Sequence, residues 1–179
     1  MIYVNLEGPT LTFRKDLSGS NRTPPFSVVE FKGEWFHESV ICGIGQEAHP
    51  TPKGIFMIVR KLIDPGSYYE TDDPAKYGSC VLELNITGFH EEDGEMHPYC
   101  IHGTDLESNL GTMHTRGCIT LKDDALKFTF NHVEKGEEVI IWDCAWDQAD
   151  RSKIPNWRQI RVWPPPENSV SYRRNRGLF

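Results

Sequence analysis

Through its first 105 residues this chain keeps breaking its apolar runs before a helix can form. Stretches rich in β-branched and aromatic residues alternate with glycine, proline and acidic turn signals, the pattern of strands rather than helices. Ile2–Leu6 and Thr10–Arg14 flank a Gly8-Pro9 turn. Phe26–Phe31 and Trp35–Cys42 flank Lys32-Gly33-Glu34, which reads as a hairpin connection. Gly54–Ile63 and Cys80–Ile86 are two further runs, and Tyr99–His102 follows a polar turn around Glu91–Glu95. The expectation is a mainly β fold, sandwich or barrel-like. The segment Asp64–Lys76 is crowded with turn residues and tyrosine; it reads as a long loop, either a lid or a decorated piece of surface.

One principal helix is expected after Asp123. Either Asp123 or Asp124 is placed to cap it, Leu126, Phe130 and Val133 give one apolar face, and Gly136 is positioned as terminator. Glu138–Trp142 then returns as a strand. From Asp143 the character changes, with three more tryptophans, the run Pro164–Pro166 and a basic end at Arg173, Arg174 and Arg176. Successive prolines forbid a helix there. Arg158–Trp163 reads as a last strand and the rest as an extended wrap. The division expected is a domain over 1–142 and an extension over 143–179 that packs on or beside it.

A length of 179 residues suits one such domain. A net charge of −7 disfavours a nucleic-acid groove, and no apolar run is long enough for a membrane helix. Met1–Leu6 reads as a strand and not as a signal peptide, which leaves an export route unassigned. Of the five cysteines, Cys42, Cys80, Cys100, Cys118 and Cys144, none forms a CxxC pair, and the spacing fits no zinc framework. Most of them read as small buried hydrophobes. The stretch from His90 to His97 lacks helical histidine spacing and a calcium-loop pattern, so it reads as a solvated turn; no metal site is expected.

Chemistry concentrates between Ile101 and Leu121. His102 ends a strand, and Cys118 follows a glycine fifteen residues further on. A free thiol is only partly ionised at neutral pH, so a nucleophilic cysteine needs a base that takes its proton and later returns it to a leaving amine. Gly117 permits close approach to a substrate carbonyl, and the N–H groups of Gly117 and Cys118 are candidates for an oxyanion hole. Arg116 sets a positive charge beside the thiol. His114, four residues before Cys118, is an alternative base.

The same stretch resembles the signature of YkuD-type L,D-transpeptidases. It holds Ile101-His102-Gly103-Thr104, then Leu110-Gly111, then Thr115-Arg116-Gly117-Cys118-Ile119, with the family's His-to-Cys spacing. The run from His49 to Phe56, Cys42-Gly43 before it, Tyr77-Gly78 and Asp124–Trp142 extend the likeness over residues 1–142. The resemblance implies a YkuD-like β-sandwich with Cys118 as acylated nucleophile and His102 as base. Thr115 and Gly103 support the site, Gly103 through its carbonyl, and Arg116, Thr104, Gly111 and Thr120 take part in holding substrate. This sequence departs from the family's usual pattern twice, with Arg116 where histidine is common and Thr120 where Arg or Asn is usual.

What the resemblance implies about function is acyl transfer on peptidoglycan stem peptides in the bacterial cell envelope, without cofactor. Cys118 attacks at the third residue and expels D-alanine, and an amine acceptor completes a 3→3 cross-link or a D-amino acid exchange. Carbapenems are the expected inhibitors. Water as acceptor would make the protein an L,D-carboxypeptidase, conceivably a toxin effector, and loss of chemistry would make it a wall-peptide binding module.

Overall fold

The computed structural model describes residues 1–13, 28–31, 34–37, 39–68, 74–90, 95–145 and 148–156. Their strands, in chain order, are β1 (Ile2–Asn5), β2 (Thr10–Phe13), β3 (Val28–Phe31), β4 (Glu34–His37), β5 (Val40–Ile41), β6 (Ile44–Gly45), β7 (Gly54–Ile63), β8 (Cys80–His90), β9 (Glu95–Gly103), β10 (Met113–Thr115), β11 (Ile119–Leu121) and β12 (Glu138–Trp142). Between β7 and β8 lie a single helical turn, α1 (Pro65–Tyr68), and a 3₁₀ turn at Pro74–Tyr77; the principal helix is α2 (Asp123–His132). The fold is mostly strand with that one substantial helix, as the turn spacing predicts.

Eight strands form one mixed sheet in the order β11-β9-β8-β7-β12-β1-β2-β5. β12 lies between β1, which it meets in parallel, and β7, which it meets antiparallel. The two ends of this sheet are joined by the chain itself. Just after β5, Gly43 exchanges backbone hydrogen bonds with Thr120 of β11, both at 2.9 Å. The sheet therefore curls round and both edges are satisfied, which removes the open edge that would otherwise recruit other strands. β6 and β10 make a small parallel pair beside this seam, and β3 and β4 make a separate hairpin.

Alternation along each strand decides what fills the interior. Ile2 and Val4, Leu11 and Phe13, Phe56 and Ile58, Leu82 and Leu84, Ile101, Ile119 and Leu121, and Val139 and Ile141 all point into one core. Each such side chain contributes about 1.5–3 kcal/mol on burial. Helix α2 adds Leu126 and Phe128, and its C-cap adds Val133, with the Phe128 ring edge-on to Phe13 at 6.0 Å. A second, smaller cluster on the other face joins Tyr3, Ile55, Ile140 and Ile154. It brings the chain after β12 back against the sheet, where Asn156 bridges to Ile55.

Several local expectations are corrected. The run Trp35–Cys42 is two strands, β4 and β5. β8 continues to His90 and β9 begins at Glu95, so the hairpin is longer on both arms than its apolar pattern suggests. Neither aspartate caps α2: the N-cap is Lys122, without a side-chain bond. Asp123 instead accepts the Ser79 hydroxyl at 2.7 Å and pairs with Lys127. The helix stops at His132, three residues before the turn that holds Gly136. Phe130 is only half-buried, while Phe128 and Thr129 face inward. The expected strand Arg158–Trp163, the proline run and the basic end lie outside the described residues.

Candidate active site

β9 carries the site on one face. Its residues alternate, so Ile101 is fully buried in the core while Cys100 and His102 share the opposite side. β11 runs parallel to β9, with Ile119 opposite Ile101, Thr120 opposite His102 and Leu121 opposite Gly103. One residue upstream of β11, Cys118 therefore falls beside Cys100 and on the same face as His102. The fifteen-residue loop between His102 and Cys118 exists because two parallel neighbours cannot be joined by a tight turn.

The histidine is fixed before any substrate arrives. Its Nδ1 lies 2.7 Å from the carbonyl oxygen of Gly103. A carbonyl only accepts, so Nδ1 carries the proton and the neutral ring offers Nε2 as its proton acceptor. The Tyr77 ring packs edge-on against the imidazole at 5.1 Å. Gly103 and Gly78 bring their backbones so close that a Cβ on either would sit 2.8 Å from the other's Cα. This contact holds the end of β9 against the turn that presents Tyr77.

The loop before Cys118 is tied by Thr115. Its hydroxyl donates to the Cys118 carbonyl at 2.6 Å and accepts the Gly117 N–H at 3.1 Å. The Gly117 N–H is therefore committed, and of the pair expected as an oxyanion hole only the Cys118 N–H stays a candidate. Gly117 has φ +104°, and a Cβ there would fall 2.0 Å from Cε1 of the Tyr99 ring. Only glycine meets both demands.

A small cleft, open to solvent, contains Tyr77, Tyr99, Pro98, Cys100, Arg116 and Cys118 in its lining. Arg116 is exposed on its rim. The other positions expected to hold substrate are placed differently. Thr104 uses its hydroxyl to accept the Leu106 N–H at 3.1 Å, and Gly111 donates its N–H to the Cys42 carbonyl at 3.0 Å; both fasten the loop and neither lines the cleft. Thr120 is 2% exposed and turns its hydroxyl toward His114 Nε2 at 3.5 Å, so its side chain is covered rather than presented.

With this geometry in view, the comparisons with known proteins are direct. The YkuD model, described as the L,D-transpeptidase catalytic domain, matches residues 15–141. This chain belongs to that family. The probable L,D-transpeptidase ErfK/SrfK of Escherichia coli (strain K12) is 31% identical over 143 residues, covering 75% of this chain and 46% of the relative. The protein of the same name from Salmonella typhimurium is 30% identical over 115 residues, 59% of this chain and 37% of the relative. The chain thus spans less than half the length of these curated relatives. Among solved structures, L,D-transpeptidase 3 from Mycobacterium tuberculosis, in complex with a faropenem-derived adduct, superposes with TM-score 0.52 at 18% identity, over 79% of this chain and 59% of that one. Bdellovibrio bacteriovorus Bd1075 gives TM-score 0.50 at 17% identity, over 80% and 47%. At such identities the likeness is one of fold.

In this YkuD domain the thiols differ sharply. Cys118 is held well below the ordinary thiol range, first by a hydrogen bond from the Cys100 side chain, against the opposing effect of burial, and then by the hydrogen bond and charge of His102. Burial pushes the Cys42 thiol up to about 12 and the Cys80 thiol up to about 11, which keeps both protonated. Burial, together with the charge of Cys118, also raises the phenols of Tyr77 and Tyr99. The alternative base His114 is pushed down by burial, and its ring nitrogens face Thr112 and Thr120 hydroxyls. Sequence reading passed over Cys100, Tyr99 and the ring of Tyr77. For Cys100 a signal existed: it stands two residues before His102 on a strand, and therefore on the same face.

Proposed function

We propose that this domain is a cysteine acyltransferase of peptidoglycan stem peptides, an L,D-transpeptidase in which Cys118 is the nucleophile and His102 the general base. The observation that carries the reading is the pairing of a depressed thiol, which opens onto the cleft, with a histidine whose Nδ1 is locked to the Gly103 carbonyl. Nε2 takes the Cys118 proton, and the thiolate attacks the carbonyl of the third stem residue. The Cys118 N–H is the candidate donor to the oxyanion, and the backbone turn that aims it is the one Thr115 ties. His102 returns its proton to the leaving D-alanine amine, and an amine from a second stem resolves the thioester. The exposed guanidinium of Arg116 on the cleft rim suits a stem carboxylate, which it can grip with two parallel bonds. The same thiol is the expected target of carbapenems, and the cell envelope is where such a substrate is met.

The test is incubation of the protein and its Cys118→Ala variant with disaccharide-tetrapeptide muropeptides, followed by mass spectrometry. Loss of D-alanine or dimer formation only with Cys118 present supports the reading, and Arg116→Ala should raise KM more than it lowers kcat. Unchanged muropeptides with both proteins would remove the proposed substrate class.

A further inference from the structure

Cys100 plays no part in the nucleophile–base pair as the motif defines it, yet the fold sets it directly against the reacting sulfur. It precedes His102 by two residues on β9, and the parallel register of β9 with β11 lays it alongside Cys118. Both sulfurs line the one cleft. The charged and titratable groups facing this spot are His102 on β9, Tyr77, Tyr99, His97 and Arg116 around the cleft, and Glu83 opposite Cys100 on β8, itself 3.3 Å from Arg60.

Cys100 has one proton, one acceptor already engaged and a second, the Cys118 sulfur, placed beside it by the strand register. It donates to the Pro98 carbonyl across 3.4 Å, a weak bond for a weak donor. The other acceptor is the Cys118 sulfur, poor as a thiol but strong once it carries charge. We propose that Cys100 is a positioning residue for the nucleophile, its S–H turning from the Pro98 carbonyl to the Cys118 sulfur when that sulfur becomes a thiolate. The inference rests on Cys118 being the nucleophile.

The accounting is simple. The Cys118 proton moves to His102 Nε2, and the Cys100 proton stays on its own sulfur and only changes acceptor. When the thiolate lone pair forms the S–C bond, the charge leaves sulfur for the carbonyl oxygen and Cys100 swings back to Pro98. The C–N bond then breaks, and the amine leaves with the proton His102 held. The thiolate sulfur is thus aimed from one side by the imidazole and from the other strand position by a thiol. The depressed titration of Cys118, in which Cys100 is the largest single cause, agrees with this.

The test reads Cys118 alone and needs no substrate. The rate of iodoacetamide alkylation at Cys118, resolved by peptide mass spectrometry, is followed across pH for the full chain and for Cys100→Ser, Cys100→Ala and Cys100→Val. The donorless variants should raise the alkylation midpoint by about 1 unit, the size of one hydrogen bond to a charged group. The serine variant, which keeps a donor, should recover at least half of that shift. Either donorless variant suffices if the other does not fold. Midpoints in the donorless variants equal to the parent's, or a serine midpoint displaced as far as theirs, overturn the proposal. A parent protein with a low midpoint and no muropeptide turnover would count against the proposed substrate and not against Cys100.

Discussion

β9 and the loop from Thr104 to Gly117 deliver the two halves of one site by opposite means. β9 is held on both edges by ladders to β8 and β11, with Cys100, Ile101 and His102 all buried. The loop is mostly exposed, and its geometry comes from a handful of bonds made by its own side chains and backbone. His102 is thus placed by the sheet, where many hydrogen bonds share the work. Cys118 is placed by single residues, chiefly Thr115 and Gly117. A substitution in the strand perturbs a cooperative unit, whereas one in the loop removes a specific support.

Replacement of His102, the proposed base, gives the largest expected effect. His102→Ala should lower acylation by a carbapenem by roughly 10²–10⁴-fold, the usual contribution of a general base, while His114→Ala stays within about threefold, since its ring is engaged by threonines beside the seam. Equal losses in the two variants would put the base on the loop and undo the contrast. Next, Gly117→Ala forces a Cβ into Tyr99 at positive φ, at an expected cost of about 2–4 kcal/mol from strain and overpacking. A lowered Tm together with slow acylation checks it, and an unchanged Tm would mean the loop yields where β9 would not. Thr115→Val removes one hydroxyl that bonds twice, so about 1–3 kcal/mol of support is lost. Denaturant unfolding measures that loss, and an acylation rate that falls further than stability would show that the turn aims the thiol.

The smallest effect concerns pH and the far end of the site. Burial pushes the Asp123 carboxyl up, but the Lys127 ammonium and the Ser79 hydroxyl and N–H together hold it below the ordinary carboxylate range. A depressed carboxyl contributes stability that is present above its unfolded pKa of about 3.9 and is lost as pH falls through the folded value. Asp123→Asn should therefore flatten the acid arm of a stability-versus-pH curve and leave neutral acylation unchanged. A steeper acid arm in the variant would show that the sign is wrong.

Much of the strand pattern was legible. Gly54–Ile63 and Glu138–Trp142 are read from sequence with the bounds the fold shows, because their apolar runs end at turns that local chemistry imposes. Trp35–Cys42 was not legible as two strands, because its halves pair with different partners: the neighbouring β3 for the first and the sequence-distant β2 for the second. The helix was legible, but its buried face was read only in part and its cap not at all. Asp123 has a better offer from Ser79, 44 residues away, than from its own helix, and no local rule reveals that. The same limit hid Tyr99, whose meaning for the site is that Gly117 has no room beside it.

By itself the sequence determined that this chain is mainly β with one principal helix, and that a histidine and a cysteine stand at the spacing of a known catalytic family. Those are properties of periodicity and of local residue order, and they survive without knowing any contact. Tertiary structure alone decided that the sheet closes through Gly43 and Thr120, that the Gly117 N–H is already taken, and that Cys100 lies beside Cys118. Each depends on which strands pair and in what register. Register is set by the sum of many burials across the whole core, a quantity no short stretch of sequence contains.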